Sequence, residues 1–247
     1  MQQIESPATA SASMSSVSER PTVLLISASR GLGYAIAAEY IDRGSHVVAT
    51  VRSPTRTKLH ELQDAAGGQL EIEHVDINAP EQVQALRDRL DARRFDLLFV
   101  NAGVTNHPQE TPAEVTTEEF NRLMVTNALS PMRVIEKLGE LIESDGTIAI
   151  MSSGQGSIVN NDSGGFEIYR ASKSALNQLM RSYAARDPGT DRTLLLMAPG
   201  WVKTELGGPN ARLTISESIP NLVTTVDAQH GHTGLQYLDY LGQTIAW

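Results

Sequence analysis

The chain has 247 residues, 40% of them hydrophobic, and a formal charge of −9 from 20 Lys+Arg against 29 Asp+Glu. That length suits one α/β domain or two small ones, and the acidic balance leaves no basic face to offset phosphate repulsion, so nucleic acid is excluded as an expected partner. The absence of cysteine removes disulfides, thiolate catalysis and sulfur-ligated metals together.

Residues 1–20, MQQIESPATASASMSSVSER, are rich in Ser and Ala and hold no apolar run. They lack the basic start and hydrophobic centre of a secretory signal, and Glu5 and Glu19 argue against a transit peptide. A disordered leader is expected here, followed by a single domain over residues 21–247. No stretch approaches the roughly 20 apolar residues that span a bilayer. The expectation is a cytoplasmic protein with no membrane partner.

From Thr22 onward, short apolar runs alternate with longer segments of helical spacing. The predicted strands are Thr22–Ser27, His46–Val51, Leu70–Val75, Phe95–Asn101, Thr147–Ser152, Thr193–Ala198 and Gly234–Tyr240. The predicted helices between them are Leu32–Arg43, Thr55–Ala65, Ala79–Ala92, Thr117–Glu143, Glu167–Ala185 and Ile215–Ala228. VLLIS, LLFV and IAIM are apolar without alternation, as central parallel strands are. The rhythm reads as βαβ units building a parallel sheet covered on both faces.

The first strand runs into Ser27-Ala28-Ser29-Arg30-Gly31-Leu32-Gly33 and then a helix. A glycine-rich strand–helix turn lets backbone N–H groups and the helix N-terminus face a diphosphate, although two glycines at such a turn are also ordinary turn chemistry. The second strand ends Thr50-Val51-Arg52, without the carboxylate that binds the adenosine ribose hydroxyls of NAD. Arg30 and Arg52 can clamp a 2′-phosphate with charge-assisted hydrogen bonds, which favours NADP(H); the alternative is a pair of solvated surface arginines.

Tyr169-Arg170-Ala171-Ser172-Lys173 opens a helical segment after a glycine-rich loop. An i,i+4 pair shares a helix face, so the phenol and the ammonium can enter one cleft. A free phenol has a pKa near 10, and an adjacent cation favours the phenolate. Without that chemistry the pair is a surface i,i+4 contact.

Ser27 to Gly33, Asn101-Ala102-Gly103, Asn127, Ser152-Ser153, Tyr169/Lys173 and Pro199-Gly200-Trp201-Val202-Lys203-Thr204 occur in the order and spacing of short-chain dehydrogenases/reductases, which residues 22–247 resemble. YRASKSALN, PGWVKTELGG and the terminal IAW are similar to the C-factor and Sniffer-like carbonyl reductase group. The resemblance implies a Rossmann-like, doubly wound, mostly parallel seven-stranded sheet and NAD(P)-linked interconversion of a small carbonyl compound and an alcohol, with NADP(H) favoured by the two arginines.

By position, the resemblance makes Tyr169 the proton donor or acceptor, and has Lys173 lower the Tyr pKa and bind the nicotinamide ribose. Ser153 would hydrogen-bond the substrate oxygen, and Asn127 would hold a water supporting Lys173. The cofactor contacts it implies are Ser27, Ser29, Arg30, Gly31, Leu32 and Gly33 in the loop, Arg52, Asp76 at adenine, and Asn101 and Gly103. Pro199, Gly200, the Val202 backbone and the Thr204 hydroxyl would hold the carboxamide. The family often dimerises through the long helices before and containing the catalytic lysine, so a homodimer is carried as an expectation beside the monomers known among its carbonyl reductases.

Two departures bear on cofactor affinity. The usual Thr-Gly at the loop start is Ile26-Ser27, so the first glycine is missing, and Ser takes a tight turn only with φ negative or with strain. The usual Asn-Asn-Ala-Gly is Val100-Asn101-Ala102-Gly103. Trp201, Leu206 and Gly207-Gly208 are expected in a mobile lid over substrate, with ordinary core the alternative for Trp201. His230-Gly-His232 lacks a third ligand, so no metal is expected. The rival class is a non-catalytic NADP(H)-binding sensor, which has no physical reason to keep Asn127, Ser153, Tyr169 and Lys173 together.

Overall fold

A computed structural model describes residues 21–247; the leader expected over 1–20 lies outside them. Seven strands form one sheet in the order β3-β2-β1-β4-β5-β6-β7: β1 Thr22–Ile26, β2 His46–Val51, β3 Leu70–His74, β4 Phe95–Val100, β5 Ile142–Met151, β6 Thr193–Ala198 and β7 Gly234–Asp239. Every pairing is parallel. That exceeds the mostly parallel expectation, and it follows from each strand being separated from the next by a helical crossover.

The strands are buried from both sides because their side chains alternate between two apolar layers. From β1, Leu24 and Ile26 join one core with Val83 and Leu86 of α3 (Pro80–Arg89), Ile135 of α5 (Ser130–Leu138) and Leu176 of α6 (Glu167–Arg186). Val23 and Leu25 join the other, with Ile36 of α1 (Gly31–Asp42), Leu59 of α2 (Lys58–Ala65) and Leu222 of α7 (Ile215–Ala228). α1 and α7 are tied at their solvent edge, where the Tyr40 hydroxyl donates to Asp227 Oδ1 at 3.1 Å and Arg43 bridges Glu39 and Asp227. No helix among the described residues is long and apolar enough to cross a membrane.

The expected single helix Thr117–Glu143 is broken. α4 covers Thr117–Met124, a π-helical turn covers Val125–Leu129, α5 follows, and a 3-10 turn at Gly139–Leu141 leads into β5 at Ile142. Pro131 explains the first irregularity, since it has no N–H to give the Asn127 carbonyl that an α-helix would pair it with. Gly139 opens the 3-10 turn that ends the helix. β5 then begins earlier than its apolar run, and its register against β4 slips between Phe95↔Ile142 and Leu97↔Thr147.

Because all strands point the same way, the residues just past β1, β2, β3, β4, β5 and β6 come to one edge. Those residues are Ser27, Arg52, Asp76, Asn101, Ser152-Ser153 and Pro199-Gly200. The crevice between β1 and β4, where strand order reverses, opens on that edge.

Candidate active site

The loop after β1 is held in a strained form. Ser27 has φ 70°, the left-handed conformation that glycine adopts freely. Its N–H donates to Thr50 Oγ1 at 3.0 Å, and its carbonyl accepts from Asn101 Nδ2 at 3.0 Å, so β2 and β4 enforce the turn from both sides. Ser27→Gly is expected to raise stability by about 1 kcal/mol, read as an upward shift of the denaturant midpoint at unchanged m. A variant no more stable than the parent would show that the serine bears no strain.

Gly33 has no room for a side chain, since a Cβ there would lie 2.2 Å from the Ser27 carbonyl oxygen and 2.6 Å from Asn101 Nδ2. Gly31, at φ 56°, faces open space. α1 starts with no side-chain cap and no acidic residue in its first turn, which leaves its N–H groups and positive dipole end for an anion. These features fit a diphosphate. Arg30 and Arg52 are both exposed, but Arg30 is engaged: its Nη1 lies 2.7 Å from Glu205 of the loop after β6. Asp76 turns inward on its own chain, accepting from the Asn78 N–H at 2.9 Å.

α6 brings the phenol and ammonium together as the spacing predicts. Tyr169 is 8% exposed and Lys173 2%. Lys173 Nζ donates to the Met151 carbonyl at the end of β5 at 2.9 Å and lies 5.9 Å from the centre of the Tyr169 ring. Burial pushes the Tyr169 phenol up to about 12, with the Ser153 hydroxyl hydrogen bond pulling the other way and Tyr237 adding to the rise. Burial pulls Lys173 down to about 8. Desolvation dominates the Tyr169 shift in the protein alone, and Lys173 is not among the groups that move it.

Asn127 is fully buried in the π-helical turn, and its carboxamide is committed. Oδ1 accepts from the Val104 N–H at 2.8 Å, and Nδ2 donates to the Val104 carbonyl at 2.8 Å and to Ser172 Oγ at 2.9 Å. The Ser172 hydroxyl in turn donates to the Tyr169 carbonyl at 2.7 Å. A Cβ at Gly103 would lie 3.5 Å from Lys173 Nζ and 3.7 Å from Asn127 Oδ1, so Gly103, Asn127 and Lys173 meet at one point.

Past β6, Pro199 is buried and Gly200 has φ 81°. The loop that follows is closed on itself: the Leu213 N–H donates to the Trp201 carbonyl at 2.9 Å, the Lys203 N–H to the Leu213 carbonyl at 2.8 Å, and Trp201 Nε1 to the Gly207 carbonyl at 2.7 Å. Thr204 Oγ1 accepts from the Gly207 N–H at 3.0 Å. Gly207 is needed for fit, since a Cβ would lie 2.1 Å from the Val202 carbonyl oxygen. Among the described residues no group of three or more His, Asp or Glu side chains is placed to hold a metal.

The sequence reading missed Ser172, Glu205 and Tyr237. Ser172 lay inside the quoted motif, between Tyr169 and Lys173, but its bond to Asn127 joins residues 45 apart in the chain. Glu205 and Tyr237 act on partners far away in the chain, and no local pattern marks them.

Residues 21–212 match the short chain dehydrogenase family. Among solved structures, the chain is 57% identical to a Burkholderia multivorans protein described as a short-chain dehydrogenase/reductase with bound NADP, at a TM-score of 0.91 over 93% of this chain and 100% of that one. It is 35% identical to a carbonyl reductase from Pseudomonas aeruginosa PAO1 in complex with NADP (TM-score 0.86, 93% and 100% covered). It is 25% identical to the carbonyl reductase Sniffer of D. melanogaster (TM-score 0.83, 93% and 100% covered). The C-signal protein of Myxococcus xanthus is 30% identical over 62% of this chain and 92% of its own length.

Proposed function

The chain belongs to the short-chain dehydrogenase/reductase family, and from that premise we propose that it is an NADP(H)-dependent oxidoreductase interconverting a carbonyl compound and an alcohol, acting as a carbonyl reductase on a small molecule in the cytoplasm. The observation that carries this reading is the convergence of Ser153, Tyr169 and a buried Lys173 beside the crevice where β1 and β4 diverge. NADP bound to relatives at 57% and 35% identity supports the cofactor.

In this reading the turn from Ser27 through Ser29, Arg30, Gly31 and Leu32 to Gly33 receives the diphosphate, Arg30 and Arg52 the 2′-phosphate, and Asp76 the adenine. Asn101, Gly103, Pro199, Gly200, Val202 and Thr204 line the nicotinamide half, and Lys173 binds its ribose. The bound cofactor supplies or accepts the hydride at the carbonyl carbon. Ser153 donates a hydrogen bond to the substrate oxygen, stabilising charge as it develops. Tyr169 gives its proton to that oxygen in reduction and takes it back in oxidation. Lys173 favours the phenolate left behind. The Asn127 side chain is spent on Val104 and Ser172, so its backbone carbonyl, without its α-helical donor because of Pro131, is the acceptor for the water that supports Lys173.

Steady-state kinetics with both cofactors across a carbonyl panel test the reading. NADPH is expected to be preferred, and Arg52→Asp to shift the ratio of kcat/KM toward NADH by about 10-fold or more, roughly the loss of one charge-assisted contact. Equal use of both cofactors by the parent would remove the two-arginine clamp. Tight NADPH binding without turnover on any carbonyl would favour the sensor instead.

A further inference from the structure

Ser153 stands where the sheet no longer holds it. The β5–β6 register ends at Met151↔Met197, and the next backbone link is from the Ser152 N–H to the Met197 carbonyl at 2.7 Å. Ser153 itself is followed by a 3-10 turn, Gly154–Gly156, whose first glycine faces open space. Within the turn the Ser153 hydroxyl is held only locally, accepting from the Gln155 N–H at 3.2 Å, so its place against a substrate depends on what fixes the turn to the sheet.

The fixing group comes from β7, two strands away. Tyr237 is 1% exposed, pairs in register with Leu196, and sends its hydroxyl to the Ser153 carbonyl. That carbonyl's other bond is from the Gly156 N–H at 2.9 Å. The opposite side of the turn is pinned to α6, where the Ser174 hydroxyl and Asn177 Nδ2 donate to the Gly156 carbonyl at 3.0 and 3.3 Å. Next to Ser153, the Ser152 hydroxyl donates to Asn177 Oδ1 at 2.6 Å.

The Tyr237 ring is braced from behind. Trp247 lies 5.5 Å from it at 51°, Arg181 sits 4.9 Å over Trp247, and the Val159 N–H donates to the Trp247 carbonyl at 3.2 Å. Phenylalanine would fill the same apolar volume without having to satisfy a buried hydroxyl. The hydroxyl that is retained lies among the Asn177 and Ser152 side chains and donates to the carbonyl of the serine proposed to meet the substrate.

We propose that Tyr237 is a positioning residue for Ser153, fixing the serine's backbone so that its hydroxyl meets the substrate oxygen. This rests on the proposed function, specifically on the role of Ser153. A double-mutant cycle separates the two: kcat, KM for carbonyl and NADPH, NADPH Kd and Tm are measured for the parent, Tyr237→Phe, Ser153→Ala and the double variant. Tyr237→Phe is expected to lower kcat about 10-fold with KM for NADPH and cofactor Kd within twofold, Ser153→Ala to lower it about 10²-fold, and Tyr237→Phe to change nothing further once Ser153 is Ala. If Ser153→Ala turns over like the parent, the reading of Ser153 fails and this proposal with it. If Ser153→Ala loses turnover but Tyr237→Phe lowers only Tm, or costs the same in both backgrounds, the positioning role alone is overturned.

Discussion

Tyr169→Phe is expected to lower kcat for carbonyl reduction by about 10³-fold while NADPH still binds within a fewfold of the parent affinity. The ring keeps its place in the small apolar cluster with Leu123 and Ile168, so the change removes the transferable proton and little else. General acid catalysis contributes about 10²–10⁴-fold. The pH dependence follows from the same surroundings. With the phenol raised to about 12 by burial, the donor is protonated at every working pH, so reduction should be flat from pH 6 to about 7. It should then fall as Lys173, lowered to about 8 by burial, loses the charge that favours the phenolate. Alcohol oxidation needs that phenolate and should climb across the same range. Profiles of kcat/KM in both directions check this, and a parent-like Tyr169→Phe would sink the assignment.

Lys173→Met should abolish turnover by at least about 10²-fold and, at pH 7, stabilise the protein by about 1–2 kcal/mol. The sign comes from linkage. Burial lowers the ammonium from 10.5 to about 8, so at neutral pH both folded and unfolded chains are protonated and the folded one bears the desolvation cost. Between pH 8 and 10.5 the unfolded chain holds the extra proton, and parent stability rises with pH. The full shift corresponds to roughly 3 kcal/mol, and the lost bond to the Met151 carbonyl reduces what the variant gains. Melting curves of parent and variant at pH 7 and above pH 10 should therefore converge at the alkaline end. A variant less stable than its parent at pH 7 would show that the buried ammonium is held at no cost.

The strands were legible because parallel strands buried on both faces are continuous apolar runs, and Tyr169/Lys173 because one helix carries both. The proline that interrupts Thr117–Glu143 was also visible, but amphipathic spacing continues across it, so periodicity alone joins what Pro131 separates. The departure at Ser27 was readable as a missing glycine. Its resolution at φ 70° was not, because Thr50 and Asn101, which impose it, are distant in sequence. Likewise Asn127 came from the family resemblance, while its bonds to Val104 and Ser172 depend on how the π-helical turn, α6 and the loop after β4 pack. Interactions within one element leave a periodic trace; those between elements do not.

If Arg30 takes the 2′-phosphate as proposed, its ion pair with Glu205 makes cofactor capture an exchange of anions. A carboxylate must leave the guanidinium as a 2′-phosphate arrives, so Arg30 contributes to affinity only the difference between the two partners, and selectivity for the phosphorylated nucleotide falls more heavily on Arg52. With side chains 75% and 76% exposed, the pair is weak and readily traded.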